Sequence, residues 1–266
     1  MMPAGCARIG TGMQTDETIR FIHQLTAKSG EIIRPYFADV DLQIDTKADQ
    51  SIVTAADREA ERALRELILS RYPEHGIIGE EFGNENESAE FVWILDPVDG
   101  TISFAKGCPL FGTLIGLLHE GRPIVGAIHN PILNQLCIGD GTITTINGRE
   151  TRVRDNVEID DATLLTTDIK HIAEHQNADG FDALLEEVKT FRGWGDCYGY
   201  LMLALGSADI MVDPVMNAWD LLPLVPVIEG AGGVITTWDG GDPVKGTSCV
   251  AATPSLHAYV IERLNP

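Results

Sequence analysis

Trp93-Ile94-Leu95-Asp96-Pro97-Val98-Asp99-Gly100-Thr101 is the stretch on which the reading of this chain turns. The apolar run Phe91 to Leu95 predicts a buried strand, and it ends abruptly in two carboxylates, a proline, a glycine and a hydroxyl. Two aspartates at the end of a core strand are costly to bury unless a positive charge sits between them. A hard divalent cation with oxygen ligands meets that need. Pro97 fixes the backbone between the acids, so Asp96, Asp99 and the Val98 carbonyl can face one point. An all-oxygen set suits Mg²⁺ or Mn²⁺ rather than zinc. Gly100-Thr101 then reads as a helix start, where free backbone N–H groups can hold a phosphate. The plainer alternative for the two acids is a turn in which an aspartate caps a helix.

Working outward, Thr15-Asp16-Glu17 opens a helix with Ile19, Ile22, Leu25, Ile32 and Ile33 at helical spacing as far as Pro35. Val40 to Asp45 is read as a strand, followed by a polar loop from Thr46 to Ser51. Thr54-Ala55-Ala56-Asp57 has the capping-box spacing and starts a second helix that reaches Tyr72. Ile77 to Gly79, Leu110 to Leu118, Ile124 to His129, Leu136 to Ile138 and Thr142 to Ile146 are strand-like, with turns between them. That meander predicts helices on a largely antiparallel sheet in the first half. The second half alternates instead. Strands are expected at Ala162 to Thr166, Ile210 to Val212 and Gly233 to Thr236. Helices are expected at Phe181 to Val188, Cys197 to Ala204 and Trp219 to Glu229. The charged, aperiodic Arg152 to Asp160 separates the halves, giving 15–155 and 156–266, with residues 1–14 expected to be disordered.

With 266 residues, 44% of them hydrophobic, the chain can bury a sizeable core. No apolar run is long enough to span a bilayer. Met1 to Thr15 lacks a basic region followed by an apolar block, which argues against a secretory signal. The cysteine count is 5, with no C-x-x-C pair, as expected of buried thiols in a reducing cytoplasm and not of a zinc site. A formal net charge of −21 disfavours nucleic acid and anionic membranes as partners. An anionic substrate then needs bound cations to invert the sign of its site.

Other acids can join such a centre. Glu80-Glu81 follows the short strand at Ile77, and either glutamate can reach the same cation or simply form a solvated turn. Asp220 opens an apolar helix, where an acid also favours the helix dipole. As a ligand it would place the site in the crevice between the halves. Thr101 and Asp57 pair a hydroxyl with a carboxylate, which can orient and deprotonate a metal-held water. Asp57 as a simple capping residue is the competing reading, and the two are compatible.

The strings D-P-V-D-G-T-I-S-F, G-E-E, T-A-A-D and N-A-W-D-L-L-P…E-G-A-G-G together resemble the inositol monophosphatase superfamily over about Thr15 to Thr236. The resemblance implies an α/β fold, a layered α-β-α-β-α sandwich, and Mg²⁺-dependent phosphomonoester hydrolysis with two or three ions. It implies metal ligation by Glu80, Asp96, Asp99, Asp220 and the Val98 carbonyl. Phosphate contacts from the Gly100 and Thr101 amides, supporting positions for Lys47, Asp57 and Thr101, and a homodimer are implied as well.

Gly195-Asp196-Cys197-Tyr198-Gly199-Tyr200, Pro109 to Ile115 and Leu224 to Gly230 are similar to the histidinol-phosphate phosphatase branch. A physical reason points the same way. Asp196 and Asp213 would place two acids away from the metals, which suits a substrate carrying an ammonium and an imidazole better than a neutral cyclitol. Two departures stand out: Ile102 where that branch leads one to expect lysine, and His129-Asn130 where Asp-Gln is expected. The competing readings are an inositol-1-phosphate or broad sugar-phosphate phosphatase, and a non-catalytic metal-binding protein.

Overall fold

The computed structural model describes residues 15–46 and 52–266. The expected disorder of residues 1–14 and the expected contact from Lys47 fall outside the described residues. Elements are numbered in chain order.

Strand β5 (Phe91–Asp99) is longer than its apolar run predicts. It continues through both aspartates, pairing antiparallel with β6 (Gly112–His119) and parallel with β3 (Gly76–Gly79). Residues three apart in a regular strand face opposite sides of the sheet. Here Asp96 pairs with Leu114 and Asp99 with Gly112, so Pro97 and Val98 together oppose Thr113. This bulge adds the extra residue that turns both carboxylates to one side. The Thr113 hydroxyl pins it by donating to the Pro97 carbonyl at 2.8 Å, and Asp96 Oδ1 accepts the Val98 N–H at 3.0 Å. The convergence credited to Pro97 in the sequence is therefore produced by the bulge.

Around β5 the described residues form an eight-stranded sheet. It contains β4 (Gly83–Glu85), β7 (Arg122–Asn130), β8 (Gln135–Gly139), β9 (Thr144–Ile146) and β10 (Arg149–Thr151), in the order β10-β9-β8-β7-β6-β5-β3-β4. Only the β3–β5 pair is parallel, as the meander predicts. Alternation along β5 sends Trp93 and Leu95 to one face, where they meet Phe21, Ile22 and Leu25 of α1 (Thr15–Ile33) and Leu64 and Ile68 of α2 (Ala55–Arg71). Burying each such side chain contributes roughly 1.5–3 kcal/mol. Ahead of α2 lies a short hairpin, β1 (Ile44–Thr46) with β2 (Ile52–Thr54). The expected strand from Val40 shrinks to β1, since Val40 projects into solvent. Asn130, one of the two departures, is structural. Its amide donates to the Pro109 and Phe111 carbonyls, and its oxygen accepts the Ile132 and Leu133 amides.

The second sheet has the order β12-β11-β13-β15-β14, from β11 (Thr163–Thr166), β12 (Thr190–Arg192), β13 (Ile210–Asp213), β14 (Val234–Thr236) and β15 (Cys249–Ala252). Its strands alternate between two cores. Leu165, Met211 and Ala251 face α6 (Asp196–Ala204) and α8 (Leu224–Gly230), which lie between the sheets. Leu164, Val212 and Val250 face α5 (Ala178–Glu187) and α9 (Pro254–Leu264) on the outside. The result is the expected α-β-α-β-α sandwich. Two corrections apply. The single helix expected from Trp219 to Glu229 is two, α7 (Ala218–Leu221) and α8, because Pro223 cannot donate the next helical hydrogen bond. Strand β15 and helix α9, and the short helix α4 (Ile169–His175), were not read from the sequence.

The layers meet closely at one seam. A Cβ on Gly126 of β7 would collide with the Pro223 carbonyl at the head of α8, so only glycine fits between the first sheet and this helix.

Candidate active site

Asp96 and Asp99 arrive at the site from the bulge in β5. Asp220 arrives from the first turn of α7, where it also completes a capping box by accepting the Asn217 N–H at 2.8 Å. One carboxylate oxygen from each of the three lies within 4.8 Å of the others. Burial, then the charges of Glu80, Asp99 and Asp220, hold Asp96 well above the ordinary carboxylate range. Burial, then Asp196 and Asp220, do the same to Asp99. Asp220 is pushed up to about 6 by burial. The Glu80 and Asp220 carboxyls thus crowd Asp96 with like charge. These residues fit a hard cation, which would offset the repulsion among them.

Glu80, directly after β3, stands at this cluster and also raises Asp57 by its charge. Asp57 is the third residue of α2 and is fully buried. Its Oδ2 accepts the Thr54 N–H at 2.9 Å and the Thr54 hydroxyl at 2.5 Å, completing the capping box read from the sequence. Its Oδ1 lies 3.3 Å from the Thr101 hydroxyl. That hydroxyl lies 2.9 Å from the Val98 carbonyl oxygen. Capping and pairing with Thr101 thus use different oxygens of one carboxylate. Burial, opposed by the Thr54 hydrogen bonds, pushes Asp57 up to about 6.

Gly100 has φ +87° and caps the short helix α3 (Thr101–Ala105). The Asp196 carboxylate lies against it, 2.9 Å from where a Cβ would stand. Asp196 heads α6 at φ +48°, and burial together with Asp213 and Asp220 pushes it up to about 7. Its N–H donates to the Thr167 hydroxyl at 2.8 Å. Asp213, at the end of β13, is buried. It accepts the Thr167 N–H at 3.1 Å and the Tyr200 hydroxyl at 2.9 Å, and burial pushes it up to about 6.

Two adjoining cavities occupy the crevice between the sheets. One, of about 410 Å³, is lined by Glu80, Gly100, Thr101 and Asp196, with Ile52, Ile102 and Leu110 as its apolar part. The other, of about 100 Å³, is lined by Asp99, Asp196, Asp213, Asp220 and His171 among others. Thr167 and Asp168 line both and were missed in the sequence. Their signal was position: they follow β11, a parallel strand, and sites in such sheets gather at the carboxyl ends of strands.

The sequence model of the inositol monophosphatase family matches residues 14–265. Among relatives, the bifunctional phosphatase IMPL2 of Arabidopsis thaliana is 43% identical over 219 residues, covering 81% of this chain and 63% of that protein. The histidinol-phosphatase of Mycobacterium tuberculosis is 35% identical, covering 91% of this chain and 95% of that one. Among solved structures, an inositol monophosphatase from Zymomonas mobilis superposes with a TM-score of 0.85 at 35% identity, covering 96% of this chain and all of that one. The chain belongs to the inositol monophosphatase family and is a phosphatase.

Proposed function

We propose that this phosphatase hydrolyses histidinol phosphate to histidinol and phosphate, with Mg²⁺ held by Glu80, Asp96, Asp99, Asp220 and the Val98 carbonyl. Bound there, Mg²⁺ lowers the pKa of a coordinated water and offsets the charge that builds on phosphoryl and leaving oxygens. The remaining work falls to the chain. The Thr101 hydroxyl, fixed between Asp57 and the Val98 carbonyl, directs its lone pairs at the attacking water and orients it. Asp57, buried and close to neutral range, accepts the proton through Thr101. The Gly100 and Thr101 amides hold the phosphoryl oxygens. No covalent enzyme intermediate is needed.

One observation carries the substrate. The described lining of the two cavities holds Glu80, Asp99, Asp168, Asp196, Asp213 and Asp220, one imidazole (His171), and neither lysine nor arginine. A second phosphate would be repelled there, and an alcohol bearing an ammonium would be drawn in. The relatives named histidinol-phosphatase support the same reading. The inositol monophosphatase from Zymomonas mobilis, as similar in sequence, favours a cyclitol phosphate as the second reading. Phosphate release from histidinol phosphate, inositol 1-phosphate and fructose 1,6-bisphosphate, measured side by side with Mg²⁺, separates them. We expect kcat/KM for histidinol phosphate to lead by at least about 10-fold, the equivalent of one charge-assisted contact. Parity with inositol 1-phosphate would overturn the assignment.

A further inference from the structure

Glu61 is fully buried on α2 and takes no part in the reaction described above. It sits one turn beyond Asp57, and Arg65 sits one turn beyond Glu61, so the three share a face of the helix. Glu61 Oε2 accepts the Glu81 N–H at 2.8 Å, and Oε1 accepts the Phe82 N–H at 3.2 Å. Arg65 Nε donates to Oε1 at 2.8 Å, and Arg65 Nη2 donates to the Gly83 carbonyl. Glu61 thus holds the backbone at 81 and 82 on the far side of Glu80, and Arg65 holds it at 83.

The side chains of that turn are largely exposed, and its other ties are the β3–β4 pairing, the Glu80 N–H on the Leu95 carbonyl at 3.2 Å and Arg62 over the Phe82 ring. Phe82 is 45% exposed, and Gly83, Asn84 and Glu85 all face solvent. A Cβ on Gly79, immediately before Glu80, would collide with Glu61 and come within 2.7 Å of Arg65 Nη2. The backbone on the near side of Glu80 is therefore pressed against the same pair. We propose that Glu61, tied to Arg65, is a positioning residue that fixes Glu80 at the cation cluster, at a set separation from Asp57 on the same helix. Anchoring both from one helix face fixes the ligand relative to the group that takes the water's proton. The proposal rests on the reading of Glu80 as a metal ligand.

The test is Mn²⁺ binding to the purified full-length enzyme, followed by the electron paramagnetic resonance signal of free Mn²⁺, alongside turnover as a function of Mn²⁺. Glu61→Gln is expected to weaken Mn²⁺ binding about 10-fold or more, the range for groups that orient metal ligands. The Mn²⁺ concentration for half-maximal turnover rises by the same factor, and most of kcat returns at saturating Mn²⁺. Gly79→Ala, which disturbs the pair without removing a charge, shows the same split and decides the matter if Glu61→Gln does not fold. Glu80→Gln is the reference. Parent-like Mn²⁺ affinity in Glu61→Gln and Gly79→Ala, with weakened binding in Glu80→Gln, overturns the positioning role even if the variants melt earlier. Parent-like affinity in Glu80→Gln overturns the ligand reading, and the positioning role falls with it.

Discussion

Asp96 carries two opposed demands. The cation cluster needs its charge, and its buried surroundings disfavour that charge. Asp96→Asn separates them. Phosphate release is expected to fall by about 100-fold or more, the scale for losing a preorganised charge at a reacting centre. The metal-free variant should melt no lower than the parent, because a neutral amide replaces a repelled acid. Release assays and melting without metal check the two outcomes together. Asp196 is tested differently. At φ +48° it tolerates asparagine better than alanine, so Asp196→Asn removes charge and keeps the backbone. We expect it to lower kcat/KM for histidinol phosphate about 10-fold, as for one charged contact, with inositol 1-phosphate little changed. Equal losses on both substrates would defeat the specificity reading. Asp96 could be named from the sequence because acids in a glycine-proline string beside an apolar run have few structural uses, and Asp196 through a motif that resembles one branch of the family. Glu61 could not. A glutamate on a polar helix face gives no sign that a turn 20 residues away will fold over it.

At the scale of elements, α2 was the most legible, because its start is chemically encoded. Thr54→Ala removes the hydroxyl that bonds both the Ala56 N–H and Asp57. We expect a stability loss of about 1 kcal/mol, typical of an N-cap. A fall in kcat should accompany it, since Asp57 loses one of the bonds that orient it toward Thr101. Thr54→Ser should restore both, as denaturant unfolding and turnover will report. Strand β5 was legible as a strand but not in its end. Hydrophobicity marks where burial stops, and the bulge that aims Asp96 and Asp99 depends on pairing with Thr113, a partner 14 residues beyond Asp99 in the chain. β15 and α9 escaped for a related reason: Cys249 to Ala252 is too short and small-residued to stand out until β13 and β14 flank it.

For the whole molecule, the acids gather where the two sheets face each other, and this makes stability depend on pH in a defined direction. Asp57, Asp213 and Asp220 are pushed up to about 6, and Asp196 to about 7, chiefly by burial. Asp96 and Asp99 are raised as well, burial again the first cause. Each group binds its proton more tightly folded than unfolded, where the carboxyl titrates near 3.9. Their contribution is complete below about pH 4 and is lost as pH rises through the folded values. Metal-free protein should therefore melt higher at about pH 5.5 than at about pH 7.5, and saturating Mg²⁺ should reverse the order by binding the ionised form. Scanning calorimetry with chelator and with Mg²⁺ checks this. A metal-free melting temperature that climbs between those pH values would contradict the cluster as described.

Gly126 lies with its bare backbone against the Pro223 carbonyl, three residues past Asp220. The joint between the first sheet and the next layer thus runs through the same short piece of chain that supplies the last carboxylate. A methyl group wedged there would shift that carboxylate from behind, with no substrate or solvent involved. Gly126→Ala, hidden from the pocket, is therefore expected to disturb ion binding together with the packing of the layers.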